Sequence, residues 1–379
     1  MEKKNLTTWE AACIITGYGV GGGVMSMPYL ADKSGFVPAI IILIISFIAS
    51  YILHLMIADL ALKSTEGGQI ISCLSCFLFR GKWKKLLSTL FFVLMGLILF
   101  TNLAGYITGA EEIMVELLPI SSMAAKLLFY VCAAAVVLFG LKAVGVSEKF
   151  AVSVIFILIG ILAVASFFVP SHKINLFSGS LSGGLAFYGM AMFAMAAFFS
   201  VPQAVEGLNR DRKKIRKAIF LGFLNNFILI VVITFCAMLS STEITEVAMV
   251  GWSAGIGKTA QIVGGLFTIL AMITTYWSLS LALSSIVEEQ MGWNSKLCWV
   301  IATLPSLILA IFNFASFMEF MRLAGGLISI IIAVMIVPAY SNARREVSGS
   351  ILEHCGGKTT SAAIIIAYIF MAIGSIIPV

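Results

Sequence analysis

Long apolar runs separated by short polar breaks recur along the whole chain, and each is close to the ~20 residues an α-helix needs to cross a bilayer. The pattern predicts eleven spans: Trp9–Leu30, Phe36–Leu62, Leu86–Thr108, Ala125–Leu141, Phe150–Val169, Gly183–Gly207, Ala218–Ser240, Thr259–Val287, Leu297–Phe312, Phe314–Tyr340 and Ser361–Val379. An odd number puts the two termini on opposite sides. With the N-terminus cytoplasmic, 19 of the 24 Lys and Arg fall in inside segments, while Glu111, Glu112, Glu116, Glu243 and Glu246 fall outside. That bias orients the protein with the C-terminus outside, and the plasma membrane is the expected location. The first apolar run is longer than a signal-peptide core, is rich in glycine and lacks a small-x-small cleavage site, so it is expected to stay as the first span.

Composition narrows the classes further. The chain is 60% hydrophobic and 11% charged over 379 residues, which leaves no room for a soluble domain beside the spans. A net charge of +6, spread thinly, gives no nucleic-acid-binding surface. The expected partners are the lipid bilayer and a small molecule, and a monomer is expected to suffice. The cysteines lie in spans or inside segments, so no structural disulfide is expected. Cys73 and Cys76 form a lone C-x-x-C within Gln69–Phe79, a stretch too short to span that reads as an interfacial helix with a basic flank. No phosphate-binding lysine loop, zinc-protease motif or G-x-S-x-G is present, so neither an enzyme nor a resident cofactor is expected.

Two spans carry the chemistry. The first reads Gly17-Tyr-Gly-Val-Gly-Gly-Gly23, followed by Pro28. Each interior glycine costs a helix about 1 kcal/mol relative to alanine, so the stretch is expected to unwind. In a membrane, unwound backbone persists only when it is buried in protein or lines a cavity. The sixth span repeats the device, with small residues and Pro202 inside Phe193–Pro202. Spans one and six are the first members of two five-helix halves, 9–169 and 183–340, with 361–379 as an extra helix. Paired interruptions of this kind point to a secondary transporter with inverted repeats and a midplane site. Half-helix N-termini favour a carboxylate and exposed carbonyls favour an ammonium or a small cation, so a zwitterionic amino acid fits both.

The string Gly17–Pro28, with Gly35 seven residues on, resembles the first-helix signature of the amino acid/auxin permease family. Phe193–Pro202 is similar to that family's sixth-helix pattern, with Phe198 where many members have histidine. Glu206-Gly-Leu-Asn209 followed by Lys214-Ile-Arg-Lys-Ala-Ile219 resembles the signature of the wider amino acid-polyamine-organocation superfamily. The resemblance implies an all-α integral membrane protein of the leucine-transporter fold: eleven transmembrane helices as five plus five inverted repeats and one C-terminal helix, with helices one and six broken. It implies a substrate carboxylate at the Gly21 and Gly22 amides beside Gly19 and Gly23. The ammonium would meet carbonyls near Gly17, Phe193 and Ala194. Asn102, Tyr106, Ala197 and Phe198 complete the expected lining, which suits an uncharged side chain. Ala271-Met-Ile-Thr274-Thr275 is similar to a pattern that supplies a carbonyl and two hydroxyls to sodium in this fold, with Thr16 and Gly19 carbonyls as further ligands. The same threonines could instead bond the preceding helical turn.

Predicted helix five has no interior lysine of the kind some proton-coupled members use, which favours sodium. A proton relay through His54, Glu206, Glu319 or Arg322 is the alternative. Glu319 and Arg322, at i and i+3, read either as an outer gate or as a pair snorkelling outward, and Glu206 as a cytoplasmic gate or topology anchor. The function expected is ion-coupled symport of a neutral amino acid by alternating access. The rivals are a sensor of the same fold, a transporter of another small molecule, and a channel.

Overall fold

The computed structural model describes residues 5–169, 174–241, 243–244, 248–314, 331, 334–347, 349–353 and 356–377, and the regular structure among them is all helical. The first span is in three pieces: α1 (Thr8–Gly19), α2 (Gly22–Met25) and α3 (Met27–Ser34). Gly35, at φ +83°, turns the chain directly into α4 (Phe36–Lys63). A short α5 (Ile70–Phe77) and a 3₁₀ turn (Gly81–Trp83) lead into α6 (Lys84–Leu117), then α7 (Ser122–Leu138) and α8 (Gly140–Ser166). The sixth span is split into α9 (Leu181–Ala194) and α10 (Ser200–Gly207). There follow α11 (Arg212–Ser240), α12 (Ala248–Ile256), α13 (Lys258–Met291), α14 (Ser295–Ile311), α15 over 334–346, and α16 (Lys358–Ile376).

Six stretches among the described residues are long and apolar enough to cross a membrane, and α7, α9 and α14 are shorter apolar helices. Lipid-facing surface is recognisable on α4, where Ile41, Ile44, Ile45 and Ile48 are all exposed at the spacing of one helical face. The long helices differ in depth: 78% of the apolar window of α13 is inside the protein against 33% for α4, so α13 is a central post and α4 faces outward.

Around that post, α1 packs against α8, α11 and α13. Small residues allow the approach: a Cβ on Gly222 of α11 would fall 2.6 Å from Ile15. The C-terminal helix α16 crosses α9 where Gly189 meets the Gly374 backbone, and the Tyr188 hydroxyl donates to Ala367 O at 3.0 Å.

Several boundaries depart from the hydropathy pattern. Helix α6 runs on to Leu117 through Glu111 and Glu112, and α12 stands where the sequence offered no element. The largest change is at span five, where α8 begins at Gly140, at φ +81°, rather than at Phe150. Its first three turns therefore hold Lys142, Glu148 and Lys149, which sequence reading assigns to a cytoplasmic segment. Glu319 and Arg322, with most of predicted span ten, lie outside the described residues.

Candidate functional site

The glycine run sets the site. Helix α1 ends at Gly19, and the Val20 amide closes it by donating to Thr16 O at 3.0 Å. Gly17 is the next carbonyl along, and no helical amide follows to use it. The Thr274 and Thr275 hydroxyls of α13 reach it instead, at 3.2 and 2.9 Å, and also reach Ala271 O at 2.9 and 3.0 Å. The helix restarts at Gly22, and the first amides of a helix have no acceptor within it. The glycines are required by close approach: a Cβ on Gly21 would stand 2.8 Å from both Thr275 Oγ1 and Tyr106 Oη, and one on Gly23 3.1 Å from the Ala194 Cα.

Opposite lies the break in span six. Between α9 and α10 the Ala197 amide leaves the helical ladder and donates to His54 Nε2 of α4 at 2.9 Å. His54 Nδ1 stands 2.6 Å from Ser50 O, an acceptor, so the partners assign the Nδ1–H tautomer. The imidazole also stacks on Phe198, with centroids 5.0 Å apart and planes 7° from parallel, and meets the edge of Phe223. Pro202 sits in the first turn of α10, where its missing N–H costs nothing, so it starts a half-helix rather than kinking a continuous one.

Between the two breaks is a small cavity of about 20 Å³, room for about one water as the helices stand. Gly19, Gly21, Gly22 and Gly23 line it from the first span, Asn102 and Tyr106 from α6, and Phe193, Ala194 and Phe198 from the sixth span. Nine of the expected substrate residues are thus brought together. Tyr18, Ala196 and Leu279 join them, none expected from the sequence, although Leu279 lies one helical turn beyond Thr275. The cavity wall carries no charged side chain among the described residues, and Asn102 Oδ1 is buried without a partner. The Tyr106 hydroxyl interacts with Thr275 and the Gly22 backbone, linking the cavity to the hydroxyl cluster.

Two expected substrate residues lie elsewhere. Gly17 belongs to the hydroxyl cluster, and Ala197 is occupied with His54. The expected sodium ligands are also divided: Ala271, Thr274 and Thr275 converge, whereas Thr16 and Gly19 do not join them. The Thr16 carbonyl is used by the Val20 amide, and its hydroxyl donates to Ala12 O at 2.9 Å and accepts from Asn225 Nδ2 at 3.1 Å. The physical reason is the position of the break: it falls after Gly19, so Thr16 keeps its helical bond while Gly17 loses one. Glu206 is exposed near the end of α10, close enough to Glu289 for their charges to interact. Arg210 donates to the Ala61 and Leu62 carbonyls at the end of α4.

The residue that sequence reasoning missed is Glu148. It is fully buried in α8, its Oε1 accepts from Ser278 Oγ at 2.8 Å, and a Cβ on Gly17 would fall 2.0 Å from its Oε2. The one available signal was an acid directly before the apolar run of span five, and the charged residues on either side disguised it.

The chain matches the model of the tryptophan/tyrosine permease family over residues 4–375. Its fold is that of solved leucine-transporter-type structures. One is MhsT in complex with L-phenylalanine, 16% identical, with a TM-score of 0.68 covering 99% of this chain and 100% of that one. Another is Mhp1, a nucleobase-cation-symport-1 family transporter in a closed conformation with bromovinylhydantoin bound, 13% identical, with a TM-score of 0.67 covering 98% and 91%. No curated protein matches the chain.

Proposed function

That the chain belongs to the tryptophan/tyrosine permease family and is a membrane transporter is the premise from which we propose its activity: symport of a neutral amino acid with a coupling cation, by alternating access. The observation that carries the reading is the uncharged, aromatic-walled cavity held between two broken helices. Tyr18, Tyr106, Phe193 and Phe198 suit an aromatic side chain. The unpartnered Asn102 Oδ1 suits an ammonium or an indole N–H. The amides at Gly21 and Gly22 would take the carboxylate, in keeping with the positive end of a helix dipole. The L-phenylalanine of MhsT has the aromatic side chain and the zero net charge that such a lining favours.

The finer architecture belongs to the same proposal. Five plus five inverted spans and a C-terminal eleventh form one monomeric unit in the plasma membrane, with the N-terminus cytoplasmic and the C-terminus outside. Kinship with the amino acid/auxin permeases would follow from the first-helix signature. Sodium is the coupling ion favoured by the Thr274 and Thr275 hydroxyls beside the Ala271 carbonyl, since hard oxygen ligands suit a hard cation.

The test is uptake by the purified protein in liposomes of pooled labelled tryptophan, tyrosine and phenylalanine, under an inward sodium gradient, an inward proton gradient, or neither. Sodium-driven uptake, lost at ordinary sodium concentrations when Thr274→Ala and Thr275→Val are combined, is the expected result. Uptake driven only by protons keeps the amino acid reading and overturns the sodium assignment. Silence under all three conditions, with the protein intact, overturns the amino acid reading in favour of a sensor or another substrate class.

A further inference from the structure

Glu148 is an acid in the middle of a hydrophobic assembly with nothing among the described residues to balance it. Its residue exposure is 0%, Ser278 supplies its one hydrogen bond, and Oε2 has no partner. A bare carboxylate in such surroundings is strongly disfavoured, and ionisable groups inside membrane bundles mark ion or proton pathways by default.

The charged and titratable groups on the described elements packed against α8 do not neutralise it. On α8 itself, Lys142 is paired with Glu10 of α1 at 2.7 Å, and Lys149 is exposed. From α1, the Cys13 thiol lies close to Glu148 and carries no charge to offset it. Helix α13 brings Ser278 and Tyr276, whose hydroxyl is bonded to Ser306, and α10 brings Gln203, with Glu206 exposed farther along. The basic residues of α11 lie in its exposed first turns. Lys126 of α7 is committed to Ala310 O and Asn313, and α12 has no charged residue.

The position matters as much as the burial. Glu148 Oε2 faces Gly17, the residue whose freed carbonyl takes the two threonine hydroxyls, and Ser278 lies one helical turn beyond Thr274. Gln203 Oε1, on a side chain bonded to Ser278 O, is a further buried oxygen without a partner, and Asn226 leaves both Oδ1 and Nδ2 unpartnered, with Nδ2 the atom against Gly19. One unbalanced carboxylate beside the end of a helix break, with the orphaned Gln203 oxygen linked to it through Ser278, makes a receptor for a single positive charge.

We propose that Glu148 is the group that takes up the coupling cation, a sodium ion or a proton. This rests on the coupled-transport reading and deepens it. One cation meets one carboxylate, giving a neutral pair beside Gly17. The neutral pair lets the end of α1 stay packed against α8 and α13, and release of the cation to the other side restores the charge. Glu148 thereby links ion occupancy to the helix break that forms the substrate cavity.

The experiment uses the full-length protein in liposomes, with labelled tryptophan, tyrosine and phenylalanine as the probe. Accumulation is measured under an inward sodium gradient or an inward proton gradient, and exchange against internal unlabelled substrate with neither. Glu148→Gln is expected to reduce accumulation at least tenfold more than exchange. Glu148→Asp, which keeps the carboxylate, is expected to recover part of the accumulation. The gradient that drives wild type identifies the cation. Ser278→Ala is expected to move the half-maximal sodium concentration, or the half-maximal pH, by a factor of three or more in cation activity, which keeps the proposal falsifiable if Glu148→Gln does not fold.

Accumulation by Glu148→Gln with wild-type gradient dependence overturns the proposal, as does an unmoved midpoint in Ser278→Ala. Wild-type protein that neither exchanges nor accumulates these amino acids fails at the amino acid reading itself and takes the inference with it. The two failures are therefore distinguishable.

Discussion

Replacing His54 with phenylalanine would preserve an aromatic ring against Phe198 and Phe223 while removing both ring nitrogens. The Ala197 N–H, 2.9 Å from Nε2 and fully buried, would then have no acceptor. Leaving a buried amide unpaired costs about 1–3 kcal/mol, and losing the bond to Ser50 O adds about 0.5–1.5 kcal/mol. Together the change is roughly 1.5–4.5 kcal/mol, concentrated at the sixth-span break, where Ala196 and Phe198 line the cavity. If about 1.4–2.8 kcal/mol of that is expressed in substrate binding, affinity falls roughly 10- to 100-fold. The assay is equilibrium binding of labelled aromatic amino acids to purified protein, with thermal unfolding followed on the same sample. His54→Gln, whose side-chain oxygen can accept from Ala197, should recover much of both. Unchanged affinity and stability in His54→Phe, or no advantage of Gln over Phe, would refute the capping role.

Two other predictions test separate parts of the structure. Gly21→Ala places a methyl 2.8 Å from both Thr275 Oγ1 and Tyr106 Oη, and overpacking of this kind costs about 1–3 kcal/mol. Substrate binding measured by scintillation proximity should weaken by roughly 5- to 150-fold, and affinity within twofold of wild type would count against a carboxylate site at this turn. At the N-terminus of α11, the Lys214 backbone N–H, with further help from the Lys214 charge and the Lys213 N–H, holds the Asp211 carboxyl below the usual carboxylate range. A lowered folded value means the contribution is full above the unfolded pKa, near 4 by the usual reference, and disappears as pH falls through the folded one. Melting in detergent from pH 6 to 3 should show a smaller acid-side loss for Asp211→Asn than for wild type, and identical profiles would remove Asp211 as a contributor.

Both helix breaks were legible because their cause is local: consecutive glycines and a proline have backbone preferences that hold in any context. The alignment of Thr274 and Thr275 on one helix was equally legible, because neighbouring positions on a helix are fixed by its pitch. That Thr16 keeps its helical bond while Gly17 loses one was not legible, because one residue of shift in a helix end decides which carbonyl is freed. The capping role of His54 was not legible, since its partner Ala197 lies 143 residues away and no local signal connects them.

Glu148 marks the boundary most clearly. Hydropathy sees an acid between lysines and assigns it to water, because desolvation is a property of what surrounds a residue rather than of the residue. The sequence by itself determined membrane residence and the broken first and sixth spans, both consequences of composition and backbone chemistry. Only the tertiary structure decided that α8 starts at Gly140, that packing against α1 and α13 buries Glu148, and that His54 closes the sixth-span break, because burial and long-range hydrogen bonds exist only once the helices have assembled.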